Sequence, residues 1–179
     1  MREIPRSGAA SSPARPLDSD PPVTETDPLL QGFSAKAVTA IRAAEALAQR
    51  LGDKSVATGH LIYGLTLDRS VPISHIFQDL NVDAEMFAQY VDSLPREPEP
   101  HGGSIYNRHV LTVFERARDL AKKLKAKEVL PEHLAVAMMS VRAGSCFETL
   151  KEFSVEPDYV AMLVVESMGL EAGDIPDWF

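Results

Sequence analysis

The sequence predicts an all-α protein built as a tandem repeat of two four-helix units, about eight helices with pseudo-twofold symmetry. Three observations point there. Apolar residues recur at three- and four-residue intervals rather than in alternation. Glycine, proline and capping residues punctuate the chain at helix-length intervals. The chain also matches itself without a gap when shifted by 73 positions, the separation of His60 and His133.

Taken in order, residues 1–32 are rich in Pro, Ser, Ala and Asp ("SGAASSPARPLDSDPPVTETDP") and lack an apolar period. Such a segment buries too little surface to offset the entropy of ordering, so a flexible tail is expected. Repeat one covers residues 33–94. Ala37, Ile41, Ala44, Leu47, Ala48 and Leu51 line one face of a first helix, with Ser34 placed as its cap and Gly52 as its stop. Thr58 is placed to cap a second helix running to about Asp68. Ser70 with Pro72 opens a short third, and Asp83 starts a fourth that ends before Pro95. Residues 95–104, "PREPEPHGGS", combine Pro, Gly and charge without an apolar face and read as an exposed connection.

Repeat two, residues 105–170, then runs through the same pattern. The 73-residue shift lays Phe33 on Tyr106, Ser34 on Asn107, Ile41 on Phe114, Leu61 on Leu134, Val82 on Val155 and Asp83 on Glu156. Chemistry is kept at each step: the first helix of each copy begins with a cap former and the last with an acid, which suits a helix N-terminus. Two copies are too few for a long solenoid, so the duplication should close into one α-helical domain. Residues 171–179 form an acidic, aromatic tail ending in Trp178 and Phe179.

Composition narrows the function. With 179 residues and 45% hydrophobic content, the chain can build a small globular core. Its longest apolar runs, such as "YVAMLVV", fall far short of a bilayer span, and no targeting signature opens the sequence, so a cytoplasmic address is expected. A formal net charge of −8 opposes binding to nucleic acid or anionic membranes and favours protein or peptide partners. The single cysteine, Cys146, cannot form an internal disulfide and reads as a small core residue.

Motifs for catalysis are missing. "GDKS" at residues 52–55 lacks the glycine spacing of a phosphate loop, and no nucleophile elbow, dinucleotide fingerprint or H-E-x-x-H occurs. No enzyme activity and no cofactor are expected. The acidic pairs Asp83/Glu85 and Glu156/Asp158 fit first helical turns, and the basic run "KKLKAK" fits the end of helix five. In each copy one histidine, His60 or His133, sits in the first turn of the second helix. Such a ring either packs between the halves and bonds a nearby carbonyl or serves as a ligand. A metal would need further ligands at suitable spacing, and His75, His101 and His109 are scattered, so no metal site is expected.

The second helices open with "ATGHLIYGL", residues 57–65, and "LPEHLAVAM", residues 130–138. These resemble the G-T-E-H-[IL]-L-x-[GA]-L opening found in the double N-terminal domain of Hsp100/Clp unfoldases, ClpC and ClpA especially, over roughly residues 33–170. The resemblance implies substrate and adaptor recognition for a Clp-type ATPase joined to a ClpP-type protease. It also implies that the motif's acid helps hold phosphoarginine, a carboxylate taking the guanidinium while nearby donors take the phosphate. Glu132 keeps that acid in copy two, where Pro131 replaces the hydroxyl. Thr58 keeps the hydroxyl in copy one, where Gly59 replaces the acid. The candidate binding residues are therefore Thr58, His60, Glu132 and His133, in a groove between the repeats.

The expected function is that of a stand-alone interaction module: an adaptor, decoy or accessory subunit that binds clients and modulates Clp-type proteolysis. Two alternatives stand beside it. One is a structural subunit docking on a ClpP-type core through Trp178 and Phe179, since aromatic anchors dominate small interfaces. The other is reuse of the fold for an unrelated protein contact.

Overall fold

The computed structural model describes residues 27–96, 100 and 102–176, and divides into two units, Met1–Gln31 and Gly32–Phe179. In the first unit, Asp27 caps a single 3-10 turn, Pro28–Leu30, its carboxylate accepting from the Leu29 N–H at 2.9 Å. These residues of the expected tail are thus a turn, set by the cap and by the fixed φ of Pro28. The tail expectation for residues 1–26 lies outside the described residues.

The second unit is all-helical. Its helices are α1 (Ala35–Leu51), α2 (Thr58–Leu67), α3 (Pro72–Asp79), α4 (Ala84–Ser93), α5 (Arg108–Lys123), α6 (Pro131–Ser140), α7 (Ser145–Glu152) and α8 (Pro157–Ser167), followed by a 3-10 turn at Ala172–Asp174. Among the described residues there is no strand. Ser34 Oγ accepts from the Ala37 N–H at 3.2 Å, and in the matching position Asn107 Oδ1 accepts from the Val110 N–H at 2.9 Å, so α1 and α5 start as the sequence predicts. Asp83 caps α4 in the same way, while Glu156, its counterpart, makes no side-chain cap on α8. The predicted α1 stripe is buried except at Leu51, which is partly exposed in the last turn.

The backbone repeats more faithfully than the side chains. Left-handed residues end the first helix of each copy, Gly52 at φ 73° and Lys125 at φ 55°, and end the third, Asn81 at φ 59° and Ser154 at φ 55°. Each pair is 73 positions apart. A lysine in this region costs about 1–2 kcal/mol relative to glycine, so the turn is held by its surroundings: the Lys125 N–H donates to the Lys122 carbonyl at 3.1 Å and the Ala126 N–H to the Ala121 carbonyl at 2.9 Å.

The two repeats interlock rather than stand side by side. Phe33 in repeat one forms a parallel bridge with Val129 in repeat two, and Tyr106 in repeat two forms the equivalent bridge with Val56 in repeat one. The Ser34 and Asn107 N–H groups donate to the Val129 and Val56 carbonyls, each at 3.0 Å. The Val129 and Val56 N–H groups donate back to the Gly32 and Ile105 carbonyls, each at 2.8 Å. Phe33 and Tyr106 both pack edge-on to Phe114, with ring centroids 5.3 and 5.0 Å apart.

Between the outer helices run α2 and α6. Nearly every residue of both is buried, which fits helices that are apolar around most of their circumference. Gly64 lets α2 lie close on α1: a Cβ there would come within 2.0 Å of the Ala40 carbonyl oxygen. Its counterpart in α6 is Ala137, so the α5–α6 contact accommodates a methyl group. Gly64→Ala is expected to lower the urea midpoint by the equivalent of about 1–3 kcal/mol through overpacking against backbone. A variant as stable as the parent would rule out this close approach.

Candidate functional site

The predicted site residues lie at the heads of α2 and α6. Neither N-cap residue, Ala57 or Leu130, can accept a hydrogen bond through its side chain. The histidine at the third helical position turns back to satisfy the cap residue instead. His60 Nδ1 accepts from the Ala57 N–H at 2.9 Å, and His133 Nδ1 accepts from the Leu130 N–H at 3.0 Å. Each imidazole thus fills the role of the Glu or Gln in a capping box. The sequence reading expected a ring bonded to a carbonyl; the bond goes instead to the backbone N–H of the cap residue, which has no partner within the helix.

A nitrogen that accepts carries no proton, so each ring is the Nε2–H tautomer. In repeat one that proton goes to Asp53: Nε2 donates to Oδ2 at 2.9 Å. The other Asp53 oxygen accepts from Arg96 Nη1 at 2.8 Å, tying the segment after α4 to the head of α2. Repeat two cannot reproduce this network, since the positions matching Asp53 and Arg96 are Ala126 and Gly169. With both ring nitrogens committed, His60 has none left to act as a base toward Ser145, which lines the same cleft. Burial of His133 holds its pKa below the usual histidine range.

Thr58 does not cap its own helix. Its Oγ1 accepts from the Cys146 N–H at 3.0 Å, at the second position of α7. In return Ser145 Oγ, at the first position of α7, accepts from the Gly59 N–H at 2.8 Å, at the second position of α2. Each helix caps the other across the repeat boundary. Both contacts require glycine. A Cβ on Gly59 would meet Val91 Cγ2 at 2.7 Å and Ser145 Oγ at 2.9 Å. Gly144, at φ 82°, would set one 2.9 Å from Thr58 Oγ1. The Cys146 thiol is buried just behind this contact, and burial pushes its pKa far above the usual range, leaving it without thiolate character.

The matching head in repeat two is built differently. Pro131 and Pro72 occupy the first positions of α6 and α3, matching Thr58 and Ser145, and neither has a hydroxyl to accept from the other helix. Glu132 stands partly exposed in the first turn of α6, where the helix dipole favours a carboxylate.

Thr58 and His60 are therefore buried together at one head and His133 is buried at the other, beside a partly exposed Glu132. The cleft at the head of α2, walled by Asp53, Ala57, His60, Val91, Arg96 and Ser145, contains neither Glu132 nor His133. Trp178 and Phe179 lie outside the described residues. Sequence reasoning passed over Asp53, Arg96 and Ser145. The available signal was asymmetry between the copies: Asp53 against Ala126, and Gly144–Ser145 against Val71–Pro72. No group of three or more His, Cys, Asp or Glu able to hold a metal occurs among the described residues, nor does any helix there have the length and apolarity to cross a membrane.

Comparison with known proteins fits this architecture. The family model for the Clp repeat (R) N-terminal domain matches residues 32–153. The chain is 22% identical over 152 residues to the chloroplastic chaperone protein ClpD1 of Oryza sativa subsp. japonica, covering 80% of this chain and 16% of that protein. Against the chaperone protein ClpB of Bacteroides thetaiotaomicron it is 26% identical over 113 residues, covering 62% and 13%. It thus spans a sixth or less of the length of these relatives. Among solved structures, the N-terminal domain of ClpD from Arabidopsis thaliana superposes with TM-score 0.64 at 20% identity, covering 78% of this chain and 96% of that one. The Hsp104 N-terminal domain from Candida albicans gives 0.63 at 16% identity, covering 83% and 99%. At these identities the structural likeness concerns the fold.

Thr58→Val leaves the Cys146 N–H buried without an acceptor and is expected to cost about 1–3 kcal/mol in urea unfolding; a neutral effect would refute the exchanged cap. His133 gives a pH signature. Its folded pKa lies below the unfolded value, so its contribution is fully present above about pH 6.5 and is lost as pH falls, by at most about 1.4 kcal/mol per pH unit. His133→Gln, which can still cap without titrating, should flatten stability between pH 7 and 5 relative to the parent, and identical slopes for the two would contradict this.

Proposed function

Since this chain belongs to the Clp repeat N-terminal domain family, we propose that it is a protein-interaction module that binds protein or peptide clients, or adaptors, and thereby modulates Clp-type ATP-dependent proteolysis. The observation carrying this reading is the match of the family model to residues 32–153, from the first crossed bridge to the end of α7. Its role is binding, as adaptor, decoy or accessory subunit, and it needs no cofactor or metal. A cytoplasmic address is part of the same proposal.

At residue level, Glu132 is the proposed contact, offering a partly exposed carboxylate at a helix head to a guanidinium or amine on the client. Thr58, His60 and His133 act behind it, shaping the two heads through the caps they supply. The exchanged cap at α2 and α7 fills the first-copy position with Ser145, which argues for one such contact per chain rather than two.

The test adds the purified full chain to a Clp ATPase with its ClpP-type protease and a fluorescent client, alongside a Glu132→Ala variant. A dose-dependent change in degradation rate that Glu132→Ala reduces about tenfold in potency is expected. Binding to the protease core in the absence of the ATPase would favour the docking subunit instead. No binding to either component and no change in rate at saturating chain would overturn the proposal.

A further inference from the structure

The heads of α2 and α6 do not account for the apolar surface between α4 and α7. There Met86 is 38% exposed, and Tyr90 and Phe153 lie partly exposed with ring centroids 5.7 Å apart. Together with Gln89 and Ser93 they line a shallow groove. Phe153 is fixed from beneath by an edge-on contact with the buried Phe87, also at 5.7 Å, so the groove floor is rigid. Residues of repeat one and repeat two meet in it, and only the interlocked fold creates it.

Its rim is acidic. Gln89 donates to Glu85 on one side, and on the other stand the exposed Glu152, next to Phe153 in the chain, and Glu148, one turn earlier on α7. Partial desolvation, with the negative charges of Glu152 and Glu148, holds the Tyr90 pKa above the usual tyrosine range. Among the residues of α4 there is no base, and α7 has only Lys151. An apolar floor with carboxylates on both walls complements a ligand with an apolar residue flanked by Lys or Arg. A second copy of this chain, at net charge −8, would bring like charge to the rim, as would its own acidic "GDIPDWF" segment.

We propose that the α4–α7 groove is a second docking surface, separate from the helix heads, that receives a short basic and apolar segment of a partner protein. The partner's apolar side chain sits on Met86, Tyr90 and Phe153, and its cations face Glu148 and Glu152. The groove shares no residue with the Glu132 contact, so the two proposals fail independently.

The probe is a fluorescein-labelled synthetic Lys-Leu-Leu-Lys-Leu-Leu-Lys peptide, with a Glu-for-Lys counterpart, titrated by anisotropy into the full chain. Amide chemical-shift mapping on the unmodified protein runs in parallel. The basic peptide should bind and shift residues of α4 and α7. Glu148→Lys with Glu152→Lys, and separately Met86→Asp, should weaken it about tenfold, while Glu132→Ala leaves it unchanged. All three altered groove positions are exposed, and circular dichroism confirms that the variants remain helical. Equal binding of the acidic peptide, shifts confined to other helices, or a dimer that Met86→Asp dissolves would each overturn the proposal, the last by assigning the groove to a second copy.

Discussion

Two crossed backbone bridges hold this domain in its register. Phe33 with Val129 and Tyr106 with Val56 each join the start of one repeat's first helix to the loop before the other repeat's second helix. The four amide bonds involved match in pairs to within the distance given, 3.0 and 2.8 Å in both bridges. Backbone pairing of this kind is indifferent to side-chain identity, so the two copies can diverge while their relative placement persists. Everything beyond the bridges follows from that placement. The head of α2 is delivered to α7, and α6 is brought beside α3.

What the shared frame does not dictate is the chemistry at each head, and there the copies have separated. At α2 the first turn is closed by glycine, threonine and serine exchanging caps with α7. At the heads of α6 and α3 two prolines stand where that exchange has its hydroxyl acceptors, and a glutamate remains toward solvent. The histidines are the common element, each accepting from the backbone N–H of its cap residue. A motif that reads from sequence as a recognition signature therefore carries, at its histidine, a requirement of helix initiation.

The fold was legible because duplication doubled every weak local signal. Ser34 or Asn107 alone suggests a cap, whereas both at a spacing of 73 make it a feature of the repeat. The site was less legible, for a physical reason. Thr58 has the residue type and position of a cap for α2, yet its hydroxyl serves α7, 88 residues away. Local rules describe what a side chain can do for its own helix, and they are silent when packing presents a second helix with an unmet donor. Asp53 and Arg96 were missed for the same reason: they are partners across 43 residues, and no periodic pattern marks such a pair.

The divergence also decides which assemblies the halves can form. Phe33 lies against Arg118, with the guanidinium carbon 4.8 Å from the ring centroid, while the matching Tyr106 donates its hydroxyl to Glu45, the residue that corresponds to Arg118. Two copies of repeat one paired with each other would set the negative face of Phe33 against a carboxylate. Two copies of repeat two would drive the Glu132 side chain into Ser145, a clash that Gly59 avoids by lacking a Cβ. Each half has become complementary to its neighbour and frustrated with itself, at a different place in each case. A fold that looks like a fused homodimer is, at the level of its contacts, an obligate heterodimer carried on one chain.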